Sequence, residues 1–241
     1  MIGFICVMHK CKDCARNTFE PINNFIKSLY KFCKKDFVLY LFDNASDEKY
    51  NVPNFGNIKY EYIEDQSLRG LAGPYNDGII SAIEDDCDII VLINDDIILN
   101  ETINDFFDII KNHKYKNVGL YGPLTNGLNK NKSFQEANKP DKGIREITKL
   151  KRSFGVLNGF LVAFTKQFYE KFKMRCGRLC DPKCLWKGGE RALRKRVIPN
   201  GGRMFIIKDC WVLHNKIGGW KKLIRSDKNK SRNKTKNRIK K

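Results

Sequence analysis

Two adjacent carboxylates, Asp95 and Asp96, follow Asn94 at the end of the apolar run Ile89-Ile90-Val91-Leu92-Ile93. A buried central strand has this form when it delivers charge to the rim of a sheet. Two carboxylates beside a side-chain amide provide the oxygen ligands that Mg2+ or Mn2+ prefers, and such an ion keeps positions open for substrate phosphates. A solvated turn after a core strand uses the same residue types, so the motif takes its meaning from the rest of the chain. Related chemistry recurs elsewhere. Asp43-Asn44-Ala45-Ser46 closes another apolar run, Asn76 lies in the glycine-containing stretch Gly70 to Gly78, Glu190 follows Gly188-Gly189, and His214 ends Trp211-Val212-Leu213. Each has a purely structural counterpart: an Asx turn, a helix entrance, an acid favoured at a helix N-terminus, a core histidine.

The elements that must position these groups alternate in type. Ile2 to Val7 is too short for an amphipathic helix and rich in branched residues, so it is expected to be a first buried strand. Asn17 or Thr18 can cap a helix with Pro21 in its first turn, and Ile22, Phe25, Ile26, Leu29, Tyr30 and Cys33 give that helix one apolar face. Asp36 to Phe42 and Ile58 to Ile63 are further strands, and Gly70 to Gly78 opens a helix carrying Ile79, Ile80, Ala82 and Ile83. Beyond the central strand come a helix over Glu101 to Lys111 and a strand over Val118 to Pro123. A polar stretch from Thr125 to Arg152 shows no period and resembles a lid in length. Val156 to Phe164 is a strand-like run broken by Gly159, followed by a helix over Gln167 to Phe172. A turn into a helix at Gly188 to Arg194 precedes late strands at Arg203 to Ile207 and Cys210 to Leu213. This alternation predicts an α/β domain with a central, mostly parallel sheet flanked by helices, whose ligands gather at the C-terminal ends of the strands.

With 241 residues, 41% hydrophobic and 30% charged, the chain has material for one substantial core. We expect one domain over residues 1–220 and a disordered basic tail over 221–241, where eleven Lys and Arg are opposed only by Asp227. The formal net charge of +19 suits a nucleic acid or an anionic membrane surface. Its concentration in the tail weakens the nucleic-acid reading, which also has no use for acidic residues at successive strand ends. No apolar run approaches the length of a membrane-spanning helix, and Met1 to Met8 lacks a basic n-region and cleavage site, so a cytoplasmic protein is expected. The nine cysteines, an odd count, suit free thiols. Cys6, His9, Cys11 and Cys14, and Cys176, Cys180 and Cys184 with His214, have zinc-ligand types, but neither set matches a zinc spacing template and the first begins inside a strand.

In the order of their elements and the residues at the strand ends, these motifs resemble small glycosyltransferases of the GT-A (Rossmann-like) fold, close in style to the family 2 enzymes and to compact glycosyltransferase domains of large DNA viruses. The resemblance spans Ile2 to Trp220. Asp43-Asn44-Ala45-Ser46 is similar to the family's Asp-Asn-Gly-Ser turn, which implies that Asp43, Asn44 and Ser46 recognise the nucleotide. Arg69 to Gly78 resembles the segment ending in Arg-Asn-x-Gly, with Tyr75 where Arg is common, and implies donor contacts from Asn76 and Arg69. Asn94-Asp95-Asp96 resembles the Asp-x-Asp element in an Asn-x-Asp form, which implies Asp96 as metal ligand and Asn94 and Asp95 as contacts to ribose or sugar. Gly188-Gly189-Glu190-Arg191 resembles the Gly-Glu-Asp segment of inverting members, implying Glu190 as the base, with Arg191 in place of the second acid. His214 is similar to a late histidine that completes the metal site, and Gly159 to a glycine beside the acceptor. Trp186 or Trp220 would stack on a sugar or join the core, and Arg194 and Arg196 would assist the diphosphate or face solvent.

The activity so implied is a transfer assisted by Mn2+ or Mg2+, with inversion, from a nucleotide diphosphate sugar, a UDP-sugar being favoured, to a hydroxyl of a glycan or glycolipid. The tail would then hold the enzyme near anionic lipid. Two other classes compete. A sugar nucleotidyltransferase shares the sheet and the acidic ligands but opens with a glycine-rich loop after its first strand, and Met8 to Arg16 contains no glycine. A basic nucleic-acid-binding protein would depend on the tail.

Overall fold

The computed structural model describes residues 1–12, 17–64, 70–128, 133–148, 157–181 and 189–215, with 189–191 as helix backbone alone. Arg69, Cys14, Cys184, Trp186, Gly188, Trp220 and the tail lie outside the described residues, as do the side chains of Glu190 and Arg191.

The chain builds one sheet from β1 (Ile2–Met8), β2 (Phe37–Asn44), β3 (Ile58–Ile63), β4 (Ile89–Asn94), β5 (Ile97–Ile98), β6 (Gly119–Thr125), β7 (Ile144–Glu146), β8 (Leu161–Thr165) and β9 (Arg203–His214). The strand order is β3-β2-β1-β4-β8-β6-β9-β5, with β7 paired to β9 off this path. β1, β2, β3, β4, β6 and β9 share one direction, and β5, β7 and β8 oppose it. The sheet is therefore mostly parallel, as expected.

Helices cover both faces, because alternate residues of each central strand point to opposite sides. Phe4, Cys6, Val91 and Ile93 pack with Phe25 and Leu29 of α1 (Glu20–Phe32) and Phe106 and Ile110 of α3 (Ile103–Asn112). Ile5, Val7, Ile90 and Leu92 pack on the other side with Ile79 of α2 (Ala72–Glu84), Phe168 of α4 (Lys166–Phe172) and Val197 of α5 (Gly189–Val197). Both faces of β1 and β4 are thus buried, which is why these strands read as continuous apolar runs. α2 lies close on β1 because residue 78 has no side chain: a Cβ there would stand 2.5 Å from Ile5 Cγ2 and 2.9 Å from Phe42 Cε2.

Several expectations need correction. α1 has Pro21 in its first turn but starts from Phe19, which makes no side-chain cap; of the two expected caps, Thr18 Oγ1 accepts from Glu20 N at 3.4 Å, one position earlier than the assigned cap. The stretch from Thr125 is not patternless: it contains β7, and Glu136 bridges to Thr125. The two late strands are one strand, β9, whose register to β6 jumps from Pro123↔Ile207 to Leu124↔Trp211 and so leaves Lys208 to Cys210 as a bulge. Gly159 sits in the turn before β8 rather than within a strand. Cys33, Cys87 and Cys210 are free thiols buried as small hydrophobes, and Cys6 is buried in the core as well.

Candidate active site

Register brings the polar strand ends together. Met8 at the end of β1 pairs with Asp43 of β2, and Val7 pairs with Asn94 of β4. The residue after β1, His9, is therefore flanked by the two acidic strand ends, and its Nδ1 lies 3.0 Å from the Asn44 carbonyl. Since a carbonyl only accepts, Nδ1 carries the proton. Around it, the loops after β1 and β2 are tied together: Lys10 N donates to Ser46 Oγ at 2.8 Å, and Lys12 N to Asp47 Oδ2 at 2.6 Å. A small cleft bounded by His9, Lys10, Thr18, Phe19 and Asp95 opens between these loops and the start of α1.

Asp43 is fully buried and its carboxylate organises the turn that follows it. Oδ1 accepts from Ser46 N at 3.2 Å, and Oδ2 accepts from Tyr50 N at 3.3 Å and from the Tyr60 hydroxyl at 3.0 Å. Burial, and then the nearby carboxylate, hold the Tyr60 hydroxyl above the ordinary phenol range, so it remains a donor. The turn needs a left-handed residue, and Ala45 supplies it at φ 57°. Asn44 Nδ2 donates to the Gly70 carbonyl at 3.3 Å, tying β2 to the entrance of α2, while its Oδ1 is buried without a hydrogen-bond partner.

On the other side of His9, Asp95 and Asp96 are nearly buried. β5 follows them at once and pairs with the end of β9, Ile97 opposite His214. That pairing sets His214 Nε2 3.4 Å from Asp96 Oδ1, and Asn215 N donates to the Asp96 carbonyl at 2.9 Å. The imidazole also stacks on Phe160, with ring centroids 5.5 Å apart, and His214 N donates to Asn126 Oδ1 at 2.8 Å. A carboxylate and an imidazole are donor types a divalent cation accepts. Among the described residues no three His, Cys, Asp or Glu side chains converge on one point, so the protein would offer this pair rather than a closed cage.

The placement of Asn76 differs from the expected one. Its Oδ1 accepts from Leu179 N at 3.0 Å and Cys180 N at 2.8 Å, and its Nδ2 donates to the Cys180 carbonyl at 2.9 Å. The carboxamide expected on the donor is engaged with the loop before α5. Arg196, left open between diphosphate and solvent, binds the same loop through Nη2 and the Leu179 carbonyl, and its Nη1 is buried without a partner. Glu190 lies in the first turn of α5. Gly159 stands beside Asn158, whose backbone N–H donates to Gln135 Oε1 at 2.7 Å.

Sequence reasoning missed His9 as a site residue, placing it only in a candidate zinc set, and missed Gln135 and Asn126 altogether. Gln135 is buried, and its Nε2 donates to the Pro123 carbonyl at 2.9 Å. A Cβ on residue 122 would lie 2.6 Å from that nitrogen, so Gly122 was the local signal that something packs there. A larger groove, of about 510 Å³, opens at the opposite end of the strands, among Met1, Lys34, Lys35, Asp88, Lys111 and Gln167. Size does not make it the site: ligands of such sheets sit at the C-terminal strand ends, and the groove's charges are partly paired, Met1 N with Asp88 and Lys35 with Asp108.

No protein-family model and no curated protein sequence matches the chain. Among solved structures it is similar to S. aureus TarS 1-349, with a TM-score of 0.60 and 15% identity over 89% of this chain and 60% of that one. The same fragment in complex with UDP gives 0.58 and 15% over 88% and 59%. GalNAc-T7, solved with UDP, GalNAc and Mn2+, gives 0.60 and 12% over 89% and 43%. The chain thus spans less than two thirds of the length of each. Likeness at this identity establishes the fold, which is GT-A.

Proposed function

We propose that the chain is a nucleotide-sugar-dependent glycosyltransferase that moves a sugar, UDP-sugar being the favoured donor, to a hydroxyl of a glycan or glycolipid. The observation that carries this reading is the convergence of His9, the Asp43 turn, Asp95 and the Asp96–His214 pair on one rim of a GT-A sheet. The bound UDP of the TarS and GalNAc-T7 structures supports it.

In this reading the turn held by Asp43 forms the nucleotide subsite, where the unpartnered Asn44 Oδ1 accepts from the base or ribose and Ser46 fixes the loop edge. Asn94 and Asp95 face the ribose or sugar. Asp96 and His214 would hold Mn2+ or Mg2+, which would supply positive charge to neutralise the departing diphosphate. Arg69, which precedes α2 in sequence, would add positive charge to the donor site. Glu190, at the start of α5, accepts the proton that the acceptor hydroxyl loses as it attacks the anomeric carbon, one carboxylate opposite the leaving group being the requirement for inversion. Gly159 borders the acceptor. The family 2-like assignment rests on these motifs.

The test is calorimetric titration with UDP, GDP and dTDP, with and without Mn2+, on the wild-type chain and Asp96→Ala. Metal-dependent binding of one nucleotide, lost in the variant, is the expected result. Binding of none rejects the reading.

The net charge of +19 supports a second reading, a basic nucleic-acid-binding protein. Truncation after Trp220 separates the two, since it removes polyanion affinity in the second reading and leaves nucleotide binding intact in the first. Within the first reading, the tail would associate with anionic lipid, and liposome co-sedimentation unchanged by the truncation would end that idea. No helix among the described residues is long and apolar enough to cross a membrane.

A further inference from the structure

Asn76 is almost completely buried one turn into α2, and it serves the backbone of a segment far along the chain. Its carboxamide acts as a short stretch of strand would, accepting from two successive N–H groups and donating to one carbonyl of Leu179-Cys180. Leu179 is buried too, so water cannot substitute for these bonds. The same loop is gripped from α5, where Arg196 Nη2 donates to the Leu179 carbonyl, and from α4, where Tyr169 Oη donates to the Gly177 carbonyl at 2.7 Å. At the other end of the α2 entrance, the Asn44 side chain donates to the Gly70 carbonyl. Hydrogen bonds therefore tie the β2 turn to Gly70 just before α2, Asn76 of α2 to the loop Cys176 to Asp181, and that loop to α5, with Gly70 and Asn76 joined through the backbone of the first turn of α2.

We propose that Asn76 is a positioning residue that couples the nucleotide end of the site to α5, so that donor binding at the β2 turn and the α2 entrance sets the placement of the helix bearing Glu190. The proposal rests on the glycosyltransferase reading. It assigns Asn76 no contact with the donor. The physical ground is that α5 is oriented through a loop whose buried backbone groups are satisfied by α2: a shift of α2 must move that loop or break bonds that nothing else replaces.

The experiment is hydrogen exchange on the full chain, with and without UDP and Mn2+, following peptides over 70–84, 176–181 and 189–197, alongside UDP calorimetry. In the wild type, UDP with Mn2+ slows exchange in all three. In Asn76→Ala the expected Kd for UDP stays within about threefold, while protection no longer spreads beyond residues 70–84. Asn76→Asp keeps the two acceptor bonds and loses the donor bond, so it restores part of the spread. It also serves if the alanine variant does not fold. Protection that reaches α5 undiminished in Asn76→Ala overturns the coupling, as does wild-type binding without any effect on α5. A Kd weakened by more than about tenfold would instead make Asn76 a donor contact. A wild-type chain that binds none of UDP, GDP or dTDP rejects the glycosyltransferase reading and this proposal with it, whereas the other negative outcomes strike the proposal alone.

Discussion

His214 Nε2 lies 3.4 Å from Asp96 Oδ1 because the two residues of β5 pair with the last two of β9. A two-residue strand has little stability of its own. Its function is to bring the end of the chain's last strand against the strand-end acids, and the stack on Phe160 fixes the ring in that place.

His214→Ala should therefore remove metal affinity without removing the nucleotide subsite. Mn2+ binding in the presence of UDP, followed by electron paramagnetic resonance, is expected to weaken by at least about tenfold, or about 1.4 kcal/mol. UDP binding without metal should be unchanged. Equal Mn2+ affinity in the variant would show that the ion sits elsewhere.

The turn after β2 provides a stability test. Ala45 adopts φ 57°, a region where a Cβ is unfavourable. Ala45→Gly is expected to stabilise the chain by about 0.5–1 kcal/mol, less than the full steric relief because glycine costs more entropy on folding. Urea denaturation should show a higher midpoint at constant slope. A lower midpoint would mean that the turn is not held in this conformation.

At residue 78 the balance goes the other way. Alanine is the better helix former by about 1 kcal/mol, yet its Cβ would stand 2.5 Å from Ile5 and 2.9 Å from Phe42. Both neighbours are core side chains that cannot swing aside, so overpacking of about 1–3 kcal/mol should exceed the propensity gain. Gly78→Ala is expected to lower the melting temperature, and a higher one would contradict the close seating of α2 on β1.

These particulars mark where the sequence was legible. β1, β2 and β4 stand out because a strand buried on both faces must be an unbroken apolar run, and the acids at the ends of β2 and β4 can only lie on a rim. β5 and β7 do not stand out, since two or three residues carry no period and become strands only through β9. β9 reads as two pieces because Lys208 and Asp209 interrupt it, and both fall in the bulge. Within the site, the spacing of residues indicates which groups are polar but not what they bond to. Asn76 has a donor-binding type and position, and its partners at Leu179 and Cys180 lie more than a hundred residues away. Gln135 sits in a polar stretch where nothing local distinguishes it from its neighbours.

His113 gives the fold a pH dependence. Its Nδ1 meets the Tyr121 hydroxyl at 2.8 Å and its ring packs edge-on to Phe205 with centroids 4.6 Å apart. Burial, with a smaller contribution from Lys114, lowers its pKa from the ordinary 6.5, against a weaker opposite pull from Glu146. The fold therefore prefers the neutral ring. Above 6.5 both folded and unfolded chains hold it neutral and its contribution is intact. As pH falls below 6.5 the unfolded chain takes up a proton that the folded chain resists, and stability is lost until the depressed folded pKa is reached. Urea midpoints measured across this window should fall with pH in the wild type and fall less in His113→Gln, which cannot titrate. Identical slopes for the two proteins would assign the acid sensitivity to other groups.

The cysteines should separate by reactivity in one experiment. Burial pushes the Cys210 thiol up to about 12, against a smaller opposing effect of its hydrogen bond from Thr102. Cys33 and Cys87 are raised by burial as well, while Cys176 is exposed. Since the thiolate is the reacting form, alkylation near neutral pH requires both access and ionisation, and the buried thiols lack both. Iodoacetamide on the native chain is expected to label Cys176 in the first phase, with Cys33, Cys87 and Cys210 reacting only on unfolding. Mass mapping of the tryptic peptides decides it. Early labelling of Cys210 would mean that β9 opens at its bulge, and because His214 is held at the end of that same strand, the Asp96–His214 pair would then be a transient arrangement rather than a preformed one.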